Sequence, residues 1–280
     1  MDETAPPVWF ITGASSGFGR AFAEHALARG HRVVATARDP SRLDALAAQA
    51  PERVLALRLD VDRSDDAPAA VAAAVGRFGR IDVLINNAGY GIVGAIEETP
   101  EAELRAILET NFFGAIAVIR AALPVLRAQR GGAVVNMSSM GGQMSVAGFG
   151  AYSAAKFALE GASEALAQEL APFGVKVLIV EPGAFRTGFA GERLRHMPVL
   201  DAYRAGVGAT REFARGMDGT QDGDPMKAAA AVERVLAAEG TPLRLQLGAD
   251  AVAAVRAHAQ ALLHDLDAWE SVAAATGIGG

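Results

Sequence analysis

The stretch Val8-Trp9-Phe10-Ile11-Thr12-Gly13-Ala14-Ser15-Ser16-Gly17-Phe18-Gly19-Arg20 decides how this chain is read. Four apolar residues lead into three glycines spaced G-x-x-x-G-x-G, and an amphipathic Ala-rich segment follows from Arg20. A short, unbroken apolar run is what a parallel strand buried on both faces requires. Glycines directly after it let the backbone turn tightly and approach a pyrophosphate, whose charge is favoured at a helix N-terminus. The triplet alone also fits a plain tight turn, and its spacing departs from the G-x-G-x-x-G dinucleotide fingerprint. Its position, closing a strand and opening a helix, gives it weight.

Outward from this stretch the same rhythm continues. Short apolar runs at 8–12, 33–37, 54–59, 83–86, 133–137, 175–180 and 243–247 alternate with segments of period 3.6. Gly30 after Arg29 and Gly131-Gly132 after Arg130 close helices, while Thr99 as N-cap with Pro100 at the first helical position opens one. Strands alternating with helices predict an α/β fold. The expectation is one Rossmann-type domain over 1–280, a doubly wound parallel seven-stranded sheet with helices on both faces. Residues 188–225 break the rhythm, with six glycines after Gly188, the aromatics Phe189, Tyr203 and Phe213, and no clear strand. They read as a substrate-binding lid insertion, or else as a disordered surface loop across 217–224. Residues 226–280 read as a helix, a strand and a long helix completing the sheet, the last with an apolar face for core or subunit contact.

Composition sets limits. The chain has 280 residues, 51% hydrophobic and 21% charged, with a net charge of −6 and no cysteine. That excludes a disulfide framework, a thiolate metal site and a cysteine nucleophile. An acidic chain without a basic stripe argues against nucleic acid. Asp2, Glu3 and two prolines at the start do not form a secretory signal, and the apolar run from Phe112 stops at Arg120, so the expectation is a cytoplasmic protein with no membrane span. The five histidines show no metal-ligand spacing, although His196-Met197 falls in the insertion and could touch substrate.

Three further motifs fall at strand ends: Asn86-Asn87-Ala88-Gly89, Tyr152-Ser153-Ala154-Ala155-Lys156, and Pro182-Gly183 followed by Thr187. With the glycine segment they resemble the short-chain dehydrogenase/reductase family over residues 7–190. The nearest look is that of the steroid/retinoid-type carbonyl reductases. Tyr152 and Lys156, four apart, share a helix face with Leu159, Leu166 and Leu170. A phenol titrates near pH ~10 and serves as acid or base only if its surroundings adjust it. A lysine one turn away and a cationic nicotinamide are both expected to lower it. By the resemblance, Ser139 is the catalytic serine, with Ser138 as the fallback, since alternation points the two oppositely. Asn111 would help hold a water that links Lys156 to solvent.

The resemblance implies hydride transfer between a nicotinamide and a carbonyl carbon, with Tyr152 as acid/base, Ser139 positioning the oxygen, and Lys156 holding the ribose. Gly13, Ser15, Ser16, Gly17, Phe18 and Gly19 would cradle the phosphates. Asp60 and Val61 with Asn87, Ala88 and Gly89 would line the adenosine side, and Pro182, Gly183, Phe185 and Thr187 the nicotinamide side. NAD-binding relatives carry an acid where Ala37 stands here, and Arg38 follows it. A guanidinium suits a 2′-phosphate, which favours NADP(H), with NAD(H) possible if Asp39 neutralises Arg38. The expected substrate is a hydrophobic alcohol or ketone in an apolar pocket walled by 141–149 and 185–203. A homodimer or homotetramer is expected through the helices around Asn111 and after Tyr152. The alternatives are a non-catalytic NADP(H)-binding sensor or scaffold and an epimerase/dehydratase-type relative.

Overall fold

The structure, a computed structural model, describes residues 5–278, so residues 1–4 of the acidic start and the final two glycines lie outside the described residues. The first half is built from β1 (Val8–Ile11), α1 (Gly17–Ala28), β2 (Arg32–Ala37), α2 (Asp44–Gln49), β3 (Val54–Arg58), α3 (Asp66–Phe78), β4 (Val83–Asn86), β5 (Gly91–Val93), α4 (Glu101–Leu108) and α5 (Gly114–Gln129). The second half adds β6 (Ala133–Met137), α6 (Gly150–Leu170), β7 (Lys176–Pro182), β8 (Leu194–His196), α7 (Arg204–Gly216), α8 (Pro225–Leu236), β9 (Arg244–Leu247) and α9 (Ala249–Ala274).

Seven strands pair in parallel in the order β3-β2-β1-β4-β6-β7-β9. The chain builds outward from β1 in one direction and then from β4 in the other. The strand order therefore switches between β1 and β4, where doubly wound sheets open a crevice at their carboxyl ends. Alternate residues of β1 feed two cores. Trp9 and Ile11 pack with α1 and α8, while Val8 and Phe10 pack with α3, α5 and α6. Phe10, Ile11 and Phe22 are fully buried, each contributing about 1.5–3 kcal/mol of apolar transfer energy. The sequence pattern placed all seven strands, with ends that shift by one or two residues.

Other expectations change. Pro100, not Thr99, is the N-cap of α4; the Thr99 hydroxyl instead donates to Ala95 O at 2.9 Å. Asn111 lies in a single π turn (Glu109–Phe113) between α4 and α5, not in regular helix. Together these make one helical stretch, Glu101–Gln129, long and apolar enough by length and composition to cross a membrane, despite Arg120. Here it packs against α3 and α6, with Val118, Ile119, Ala122 and Leu126 buried in the core. Residues 188–225 do hold a strand, β8, which pairs in parallel with β5 in a separate two-stranded sheet, and a helix, α7. In α9 only Ala251 is buried, and Leu262, Leu263, Leu266, Trp269 and Val272 are exposed, so its apolar face is not core.

Candidate active site

The glycine segment is held by a cross-link from the next crossover. Thr12 Oγ1 accepts the backbone N–H groups of Asn87 and Ala88, at 2.9 and 3.1 Å. Asn87 Nδ2 donates back to the carbonyls of Thr12 and Gly13, at 3.0 and 3.2 Å. Asn87 thus ties the ends of β1 and β4 together across the switch point. Gly13 and Gly17 adopt left-handed backbone, φ +65° and +58°, which L side chains avoid. At Gly19 a Cβ would stand 2.4 Å from Gly13 O, so only glycine lets α1 begin this close to the loop.

Past β6 the chain extends through Ser138 and Ser139. Ser139 Oγ accepts Gly141 N at 3.0 Å and hydrogen-bonds Tyr152, while the Ser138 hydroxyl turns back toward Gly142 and Glu160. The two point apart, as alternation requires, and Ser139 is the one brought to Tyr152. Lys156 is buried, and its Nζ donates to Met137 O at 2.8 Å and lies 5.8 Å from the Tyr152 ring centre. Asn111 is buried beside it. Its amide exchanges two hydrogen bonds with the Tyr90 backbone, at 3.1 and 2.8 Å. Gly89 separates Asn111 from Lys156: a Cβ there would lie 2.9 Å from Asn111 Oδ1 and 3.8 Å from Lys156 Nζ.

The protonation state differs from the sequence expectation. Burial pushes the Tyr152 phenol up to about 12, against the hydrogen bond from Ser139, which favours the phenolate. Lys156 does not lower it as expected. Burial instead brings the lysine down to about 8, with Glu160 opposing. Desolvation disfavours both charged forms and outweighs what opposes it, the Ser139 hydrogen bond at the phenol and the Glu160 charge at the lysine.

Tyr152, Ser139 and Lys156 stand in one cleft of about 540 Å³, together with Phe18, Asn87, Gly89, Pro182, Gly183, Phe185 and Thr187. Its walls are apolar: Met144, Val146 and Phe149 on one side, Phe185 and Phe189 on another, and Ala209, Phe213 and Met217 across the mouth. The second wall does not end at Tyr203, as the sequence suggested. Tyr203 is outside, bonded to Glu97 at 2.5 Å, and the wall comes from α7 and the turn after it. His196 is exposed and Met197 packs against Gly94, so neither lines the cleft. The 182–187 loop is held from an unforeseen quarter: Asp250, in the first turn of α9, accepts Ala184 N at 2.7 Å.

Gly13, Ser15, Ser16, Gly17, Gly19, Arg38, Asp60, Val61, Ala88 and Asn111 lie outside the lining of this cleft. Asp39 does not pair with Arg38. Its carboxylate accepts the Ser41 N–H and hydroxyl, at 3.0 and 2.7 Å, and these bonds hold it below the usual carboxylate range. Arg38 stays exposed at the end of β2. Asp60 Oδ1 accepts Asp62 N at 3.3 Å, and Val61 packs against Gly114 of α5.

The sequence profile of the short chain dehydrogenases matches residues 7–198. The chain belongs to the short-chain dehydrogenase family. It is 41% identical over 270 residues to the oxidoreductase BOA17 of Botryotinia fuckeliana, covering 96% of this chain and 98% of that one. It is 39% identical over 249 residues to the 3-ketodihydrosphingosine reductase of Bacteroides thetaiotaomicron, covering 87% and 88%. Its fold matches a short-chain dehydrogenase from Streptomyces avermitilis with a TM-score of 0.93 at 50% identity, covering 99% and 100%. A short-chain dehydrogenase/reductase from Burkholderia phymatum in complex with NAD superposes with a TM-score of 0.79 at 28% identity, covering 91% and 94%. An alcohol dehydrogenase from Thermococcus sibiricus complexed with 5-hydroxy-NADP does so with a TM-score of 0.71 at 26% identity, covering 86% and 95%. This short-chain dehydrogenase is therefore an oxidoreductase acting on CH–OH donors with a nicotinamide cofactor.

Behind the cleft the dehydrogenase buries a second group of charges. Glu160, one turn after Lys156, and Glu181 on β7 are both inaccessible, and Arg244 Nε reaches them at 2.9 and 3.2 Å. Gln143 Nε2 donates to both carboxylates, at 3.1 and 3.2 Å. Burial, with Glu160 adding to it, pushes Glu181 up to about 7 despite the hydrogen bond from Gln246 and the charge of Arg244. The folded protein thus holds this proton up to about pH 7. Unfolded glutamate releases it near pH ~4.3, so the stability it gives is full below that value and lost as pH rises through the folded one. Glu181→Gln, which cannot ionise, is expected to melt near wild type at about pH 5 and above it at about pH 8. Thermal melts at both values check this, and a gap that fails to open at the higher pH counts against it.

Proposed function

We propose that this dehydrogenase is an NADP(H)-dependent carbonyl reductase or alcohol dehydrogenase that interconverts a hydrophobic secondary alcohol and its ketone. The observation that carries the reading is Tyr152, buried with its Ser139 hydrogen bond at the floor of an apolar cleft, one turn from Lys156. The residues fit a dinucleotide: Gly13 and Gly17 already hold left-handed backbone at the head of α1, and Arg38 is left without a carboxylate by the Asp39–Ser41 bonds. Gly13 to Gly19 would hold the diphosphate and Arg38 the 2′-phosphate. Asp60, Val61 and Asn87 to Gly89 would take the adenosine half, and Pro182, Gly183, Phe185 and Thr187 the nicotinamide half. When bound, the nicotinamide supplies or accepts the hydride.

The chain's own residues handle the oxygen. Ser139 donates a hydrogen bond to it and stabilises the charge that gathers there during reduction. Tyr152, whose buried phenol is raised to about 12, is placed to give its proton to the oxygen in ketone reduction. Lys156, near 8, can carry or release a proton close to neutral pH, and Asn111 holds the far side of that path. The apolar walls favour a substrate whose bulk is hydrocarbon. The relative named for 3-ketodihydrosphingosine, a ketone on a long alkyl chain, supports the same class. Phe113 and Phe157, exposed at 53% and 46% on the helices around Asn111 and after Tyr152, support a homodimer or homotetramer.

The test is NADPH and NADH oxidation against a panel of long-chain and polycyclic ketones. The expected result is turnover with the apolar ketones and a preference for NADPH. Preference for NADH overturns the role given to Arg38, and turnover confined to small polar ketones overturns the substrate class.

A further inference from the structure

Arg193 is the residue just before β8, in the segment after β7, yet its side chain crosses to the opposite lip of the crevice. One guanidinium nitrogen donates to Ser16 Oγ, and Nη1 lies 3.6 Å from where a Cβ on Gly17 would stand. Gly17 is the first residue of α1, so the guanidinium faces the positive end of that helix. Two further cations bear on it. Burial, and then the charges of Arg42 and Arg38, work against its protonated form, with only Glu192 opposing.

Arg20, Arg58, Arg80, Arg105, Arg211 and Arg244 meet a carboxylate within 4 Å, and the half-buried Arg53, which meets none, is held instead by the carbonyls of Leu27 and His31. Among the described residues Arg38, Arg42 and Arg193 have no such partner. Arg38 and Arg42 are exposed, whereas Arg193 is half-buried, so solvent screens its charge less. Three guanidiniums and a helix N-terminus converge, with only Glu192 opposing at Arg193 and Asp39 beside Arg42, and neither forms an ion pair within 4 Å. A polyanion satisfies that arrangement, and a guanidinium fork grips phosphate oxygens two at a time.

We infer that Arg193 is a phosphate ligand carried by the 188–225 segment, gripping the dinucleotide's diphosphate from the side opposite the glycine loop and so drawing the segment over the cleft when the cofactor binds. The diphosphate is assigned rather than the 2′-phosphate because Nη1 sits against Gly17, while Arg38 and Arg42 stand at the β2 end. This inference rests on the dinucleotide reading above and adds to it the means by which the same ligand orders the substrate wall.

Calorimetric titration of the purified full chain with NADPH and with NADH tests it. Arg193→Met is expected to weaken both nucleotides by the same factor, about tenfold or more, because the diphosphate is common to them. Arg193→Lys, which keeps the charge and loses the fork, is expected to fall between the two. NADPH should protect the 188–225 segment from limited proteolysis in the wild type and not in Arg193→Met. Unchanged affinity for both nucleotides overturns the inference, as does a lysine variant no better than the methionine one. A loss confined to NADPH overturns the diphosphate assignment. If the wild type binds neither nucleotide, the cofactor reading itself has failed, which is a separate result.

Discussion

Tyr152→Phe is expected to lower kcat by about 10²–10⁴-fold while leaving nucleotide affinity close to wild type. The variant removes one oxygen and keeps the ring, which packs edge-on to Phe149 at 6.1 Å and against Phe189 at 5.5 Å. The fold and the apolar wall should therefore survive, and the loss should fall on the proton-transfer step alone. Steady-state rates set beside nucleotide titrations check both halves. A phenylalanine variant that turns over normally removes Tyr152 from the mechanism. One that loses nucleotide binding as well shows that the hydroxyl holds the cofactor and not only the proton.

Arg211→Met is expected to cost about 3–5 kcal/mol, the largest stability effect foreseen outside the hydrophobic core. Arg211, on α7, and Glu98, between β5 and α4, are almost wholly buried and meet at 2.7 Å. Arg211 also donates to Met197 O and Pro198 O, at 2.9 and 3.0 Å, and Glu98 accepts the N–H groups of Ala95 and Leu200, at 2.7 and 2.8 Å. Methionine fills much of the volume but leaves a carboxylate buried without its cation. Burial works to raise the Glu98 carboxyl, and its hydrogen bonds and the guanidinium overcome this and hold it low. The stability it gives is therefore complete above the unfolded value near ~4.3 and lost as pH falls through the lower native one. A fall in Tm on the order of 10 °C at neutral pH is expected, largely recovered in the double variant with Glu98→Gln. A single variant melting within a degree or two of wild type would mean that water already reaches the pair.

Much of the fold was legible because its elements report on themselves locally. Val8 to Ile11 can only be a two-sided strand, and Tyr152 and Lys156 share a face through helical spacing alone. What escaped has partners far away in sequence. β5 and β8 are three residues each and exist as strands through each other; Arg195 and His196 in β8 are exposed and carry no period-two signal. Arg211 and Glu98 lie 113 residues apart, and Asp250 lies 66 residues from the backbone it holds. The burial that raises the Tyr152 phenol is not legible in the sequence for a related reason. Helical spacing announces the neighbouring lysine, whereas desolvation by Phe149, Phe189 and the rest of the wall exists only once the chain has folded.

The first turn of α9 and its remainder lead separate lives. Asp250 fastens the loop after β7, and a Cβ on Gly183 would stand 2.2 Å from that carboxylate, so the joint has no slack. Ala254, Val255 and His258 are still half-buried, and from Ala259 the described helix is exposed. A graft or tag beyond His258 is expected to leave the cleft undisturbed. A single inserted residue between β9 and Asp250 is expected to rotate the fastening away and loosen the loop after β7. For anyone adapting this enzyme, the tail is a handle whose grip begins beyond His258, more than two turns after its hinge pin.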